Sequence, residues 1–180
     1  MEKTINIDGK EVRLRATAAV PRLYRIKFGR DIMQDLSKLS DAYEKATTEQ
    51  EQFEATDLGL FENVAYIMAK HADKDAVPSS VEEWLDSFEV FSIYQVLPEI
   101  LTLWNLNTLT TAKPKKKTRV STREMTTPLF LLRCVQMGIA LRDLDLLTVG
   151  MVNDMAIERE NDDYKWPLKA TQADIDKFFG

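Results

Sequence analysis

Cysteine and histidine are almost missing from this 180-residue chain, which has one of each, Cys134 and His71. A lone cysteine cannot close an internal disulfide, so nothing points to an oxidising compartment. A lone histidine rules out a histidine-cluster metal site. Glycine and proline number six each, too few for an all-β protein with many turns. The glycines are scattered singly, which excludes a phosphate-cradling loop. The longest apolar stretch, Pro128–Leu141, is broken by Arg133 and Gln136 and falls short of the ~20 residues that span a bilayer. The opening Met1-Glu2-Lys3-Thr4 has no apolar run of the signal type, so the expected location is the cytoplasm.

What is present is a globular composition. Hydrophobic residues make up 44% of the chain, enough for a packed core, and the net charge is a modest −5. That charge favours solubility and makes nucleic acid an unlikely main partner. The acidic pairs Asp143/Asp145 and Asp162/Asp163 do not match a calcium loop. His71 lies at helical spacing from Val64 and Ile67 and reads as structural. Cys134 lies mid-stripe on a helix and reads as a buried thiol. No catalytic, cofactor-binding or metal-ligating residues are expected, and the chain reads as no enzyme.

The fold class is mainly α, with a small N-terminal β-hairpin. Ile5, Ile7, Val12 and Leu14 alternate with polar residues around Asp8-Gly9, a pair suited to tight hairpin turns. Helix signals follow. Thr17 and Asp31 are caps for helices ending near Phe28 and Lys45, and residues 46–56 are a polar loop or helical extension. Asp57 caps a helix whose two adjoining apolar stripes predict burial on more than one side. Ser79 and Ser80 stand at capping-box spacing from Glu82 and Glu83. A further helix over about Phe91–Asn105 contains Pro98, which predicts a kink or restart.

Residues 107–123 hold almost no large apolar side chain and carry Lys113-Pro114-Lys115-Lys116-Lys117. They read as a flexible basic linker between an N-terminal domain, 1–106, and a C-terminal helical domain, 124–180. In the tail, Thr127-Pro128 opens a helix with the inward stripe Phe130, Cys134, Met137 and Leu141. Thr148 and Thr171 cap two more. About 55 residues is marginal for independent stability, so the tail should lean on the first domain or on a partner.

Two groups stand out as candidate interaction residues. Trp84, Phe88, Phe91, Tyr94 and Trp104 are more large side chains than the first core obviously needs. Met151 and Met155 belong to a tail holding four of the seven methionines, a side chain that suits adaptable apolar contacts. The lysine run is the one charge feature. It has no interleaved aromatics, so the stacking platform of a single-strand binder is missing. A basic-linker nucleic-acid-binding regulatory protein is the alternative reading, and salt-sensitive DNA binding would favour it.

The run from Arg22 through Asp31, the stretch Phe61–Tyr66 and Glu83-Trp84-Leu85-Asp86 resemble the N-terminal signature of tail assembly chaperones from long-tailed bacteriophages of Gram-positive hosts. Thr127–Cys134, Asp143–Val152 and Ala170–Asp174 resemble the second half of the frameshift-extended form of that family. The resemblance implies a chaperone acting in the host cell cytoplasm during viral morphogenesis. It would bind and solubilise the tape measure protein, help recruit the major tail (tube) protein, and be absent from the mature virion. Self-association is compatible with this role, and no membrane is involved. The resemblance also implies a programmed frameshift, for which Lys115, Lys116 and Lys117 mark the point, because AAA-rich codons are slippery.

Overall fold

Strands β1 (Glu2–Ile7) and β2 (Lys10–Arg15) pair antiparallel, with Ile7 opposite Lys10 and Ile5 opposite Val12. Asp8 and Gly9 make the turn at φ +52° and +76°, the left-handed pair that matches strand twist. Asn6 Oδ1 braces the turn by accepting from the Gly9 N–H at 3.0 Å. The alternation puts Ile5, Ile7, Val12 and Leu14 on one buried face, which lies across the helices. That cover is what a two-stranded ribbon needs to persist in water.

The coordinates are a computed structural model, which describes residues 1–45, 48, 57–115, 123–162 and 172–179. Apart from Thr48, the polar stretch 46–56 therefore lies outside the described residues. So do Lys116, Lys117 and Thr171, and the side chain of Tyr43.

Helix α1 (Val20–Phe28) begins with Pro21 in its first turn and stops at Gly29, whose φ of +68° and N–H bond to the Arg25 carbonyl close it. The cap position is Ala19, with no side-chain cap bond, and not Thr17 as the sequence predicts; Thr17 Oγ1 instead accepts from the Ala19 N–H. Helix α2 (Ile32–Lys45) is capped by Asp31, which accepts from the Met33 N–H. Helix α3 (Leu58–Ala72) starts at Asp57, which accepts from the Leu60 N–H at 3.1 Å. Its residues Val64 to Ala69 are all buried, as the paired stripes predict, and it packs against β2, α1 and α2.

The short helix α4 (Val81–Leu85) is capped by Ser80, which accepts from the Glu83 N–H. Helix α5 (Ile93–Thr108) runs through Pro98 as one helix, where a kink or restart is the sequence expectation. A proline loses one main-chain bond inside a helix, and burial of Val96, Leu97, Ile100 and Leu103 outweighs that loss.

The tail comprises α6 (Thr127–Gln136), a 3-10 turn (Asp143–Leu146), α7 (Val149–Asn161) and α8 (Gln172–Phe179). The predicted inward stripe of α6 holds for Phe130 and Cys134, while Met137 is half-buried and Leu141 exposed. Gly138, at φ +84°, follows directly on the end of this helix, so Leu141 leaves the helical register. Phe130, Cys134, Leu144, Val149 and Val152 join the same buried cluster as the hairpin and α3. Polar contacts seal the junction. Asp31 accepts from both the N–H and the hydroxyl of Thr127, and the Ala18 N–H donates to the Leu147 carbonyl at 2.8 Å.

The described part of the expected linker differs from the sequence reading. Asn107 and Thr108 finish α5, and Leu109–Lys115 is strapped along α7. The Asp154 carboxylate accepts from the Thr111 and Ala112 N–H groups and from the Thr111 hydroxyl. Asn161 accepts from the Lys115 N–H at 2.7 Å and donates to the Lys113 carbonyl at 3.0 Å. The strap is held through its main chain, so it leaves no apolar period in the sequence. No helix among the described residues is long and apolar enough to cross a membrane.

Candidate interaction surfaces

Three of the five surplus aromatics of the first domain, Trp84, Phe88 and Phe91, join one stack. Tyr66, Trp84, Phe88 and Phe91 form a continuous set of edge-on and tilted rings, with centroids 5.3–5.8 Å apart, and Phe61 meets Phe91 at 5.4 Å. Such pairs add about 0.5–1.5 kcal/mol each beyond their burial. Trp84 is buried within the stack, while Phe88 and Phe91 are half-buried at its edge. Trp104 is also buried, on α5. Tyr94 is 38% exposed. The five candidates therefore form no single exposed surface.

Beside the stack lies an open groove of about 260 Å³. Val12, Val77, Pro78, Trp84 and Phe88 give it an apolar wall, and Lys10, Glu11, Arg13 and Asp73 give it a charged rim. The rim is tied in place. Arg13 pairs with Asp73, and the Lys10 ammonium donates to the Ser87 carbonyl while standing 5.5 Å from the Phe88 ring centroid. Val12 reaches this groove from the distant hairpin, and only the packing of the hairpin on α3 brings it beside Pro78 and Trp84.

On the tail, Met151 and Met155 stand one turn apart on α7, 48% and 45% exposed. They flank the strap, which touches their chain neighbours Gly150 and Asp154. Exposed Leu106 and Leu109 stand where α5 passes into the strap. A second opening, of about 400 Å³, lies between α6 and α7 and is lined by Arg133, Met137 and Arg159 among others. Arg159 donates across it to the Gln136 carbonyl at 2.9 Å. Of the lysines singled out by sequence, Lys115 is exposed at the end of the strap.

The titratable groups are held by packing. Cys134 is fully buried, and burial pushes its thiol up to about 11, so it rests protonated. His71 places Nε2 2.9 Å from Thr17 Oγ1 and 3.0 Å from Asp145 Oδ1. Burial lowers its pKa, Asp145 opposes that, and the ring is neutral at pH 7. Asp35 is buried and receives two bonds from the Arg30 guanidinium and one from the Tyr24 hydroxyl. Burial pushes its pKa up, but these bonds outweigh the burial and hold the carboxyl below its usual range. No group of three or more His, Cys, Asp or Glu residues suited to a metal occurs among the described residues. No protein-family model matches the chain, and no curated protein or solved structure matches it either.

Proposed function

We propose that this chain is a tail assembly chaperone, which binds apolar helical segments of a tape measure protein, keeps them soluble and helps recruit the tube protein. The observation that carries the reading is the groove beside Trp84 and Phe88. An apolar wall open to water, rimmed by fixed charges, suits one anchor side chain of an amphipathic helix. Phe88 lies at the edge of the aromatic stack, where a client can reach it, while Trp84 fixes the floor. The resemblance of Arg22–Asp31 and of the tail segments to phage tail chaperones supplies the identity of the client. Met151 and Met155 are the proposed contact for the tube protein, since exposed methionines adapt to varied apolar partners.

The test is a pull-down of purified tape measure segments by the full chain. Phe88→Ala keeps most of the stack and removes the groove's accessible ring. Loss of a hot-spot aromatic costs at least about 2 kcal/mol, or roughly 30-fold in affinity. Met151→Glu with Met155→Glu should leave that binding intact and weaken capture of the tube protein. Undiminished client binding by a folded Phe88→Ala chain would remove the groove from the account.

A further inference from the structure

At the seam between the hairpin–helix body and the tail lies a cavity of about 230 Å³. Its walls gather Arg15 from β2, Arg22 from α1, His71 and Lys74 from the end of α3, and Arg142 and Asp145 from the turn that precedes α7. Four cations thus face one carboxylate. Asp145 Oδ2 lies 3.3 Å from Arg15 Nη2, while its buried Oδ1, 3.0 Å from His71 Nε2, has no hydrogen-bond partner among the described residues. Arg15 also pairs with Glu2 at 3.4 Å. Arg142 has its neighbour Asp143 at 3.7 Å, with both side chains largely in water.

The remaining charges are uncompensated. Arg22 Nε is buried and has no hydrogen-bond partner among the described residues. Lys74 has no acidic side chain within ion-pair distance among the described residues. The carbonyl end of α3 favours one cation beside it, which does not explain four from separate elements. Buried polar groups ordinarily find partners, and guanidinium groups suit two-pronged contact with oxyanions.

We propose that this cavity binds a single oxyanion, a phosphate or a carboxylate group. It is smaller than the roughly 300–1,000 Å³ of sites for drug-sized ligands, so it takes one such group and not a cofactor. Arg22 and Lys74 on the body and Arg142 on the tail supply the countercharge, and the bound anion ties the tail to the body. This site is independent of the client groove.

Calorimetric titration at constant ionic strength tests the proposal, using inorganic phosphate in one arm and a short glutamate-containing peptide in the other. The full chain should bind one equivalent of at least one probe saturably, and the tighter arm identifies the source. Lys74→Gln combined with Arg142→Gln changes two exposed side chains, and circular dichroism checks that the fold is kept. Affinity should fall at least tenfold in that variant and stay unchanged in Lys10→Gln, which removes one charge outside the cavity. The proposal is overturned if neither probe saturates, if the double variant binds as tightly as the parent, or if Lys10→Gln weakens binding equally.

Discussion

At the residue scale, Asp35 is the most exacting position. Its carboxylate is buried yet ionised, because Arg30 and Tyr24 supply three hydrogen bonds. Its pKa is depressed on folding, so the stability it contributes is present above the ordinary carboxyl range of about 4 and is lost as pH falls through the lower folded value. Asp35→Asn should cost about 2–3 kcal/mol at pH 7. That is less than for a fully buried pair, since Arg30 remains partly in water. The same variant should lose less stability than the parent on acidification, and urea melts at pH 7 and pH 3 would check both effects. Cys134 offers a second readout. Buried and protonated, it should resist thiol reagents at pH 8 in the native chain and react only when the tail undocks. Asp31 shows where reading the sequence stops. Its cap on α2 follows from its place before an apolar run, but its two bonds to Thr127 join residues 96 positions apart.

Most elements were legible where the signal was local, Pro98 and Thr17 being the exceptions: the first leaves its helix whole and the second stands two residues ahead of the observed cap, Ala19. The Asp8-Gly9 turn, the helix end at Phe28 and the caps Asp57, Ser80 and Thr148 all stand where sequence puts them. The strap was not legible, because Asp154 and Asn161 hold its backbone and its own side chains carry no pattern. Gly150 gives a sharp test of that strap. A Cβ built there would lie 1.9 Å from the Leu109 carbonyl oxygen. In an open helix, glycine to alanine gains up to about 1 kcal/mol. Here Gly150→Ala should destabilise by about 1–3 kcal/mol, as overpacking does, and a stabilising result in urea melts would show that the strap does not lie there. Asp154→Ala should release the main-chain amides of Thr111 and Ala112 to fast hydrogen exchange, with Lys115 slower to follow because Asn161 still holds it.

The whole molecule brings the two halves of the sequence onto one buried cluster. Phe130, Cys134, Leu144, Val149 and Val152 of the tail join the residues of the hairpin and α3. Sequence composition favoured separate modules because the break after Leu106 is a break in side-chain pattern. The tail's need to lean on something was legible from its size alone. The client groove was half legible: Trp84 and Phe88 stood out by bulk, whereas Val12 reaches it only through the hairpin's packing on α3. A chain stopped after Leu106 would bare the faces that the tail covers and should melt below the full chain, so the partner roles are best assigned with the full chain. The most direct measurement is the soluble fraction of the tape measure protein co-expressed with this chain and no other phage protein. The account predicts that the parent chain holds most of the client in solution, while Phe88→Glu, folded by circular dichroism, leaves it in the pellet. A client that is equally insoluble with the parent chain and without it would contradict the account.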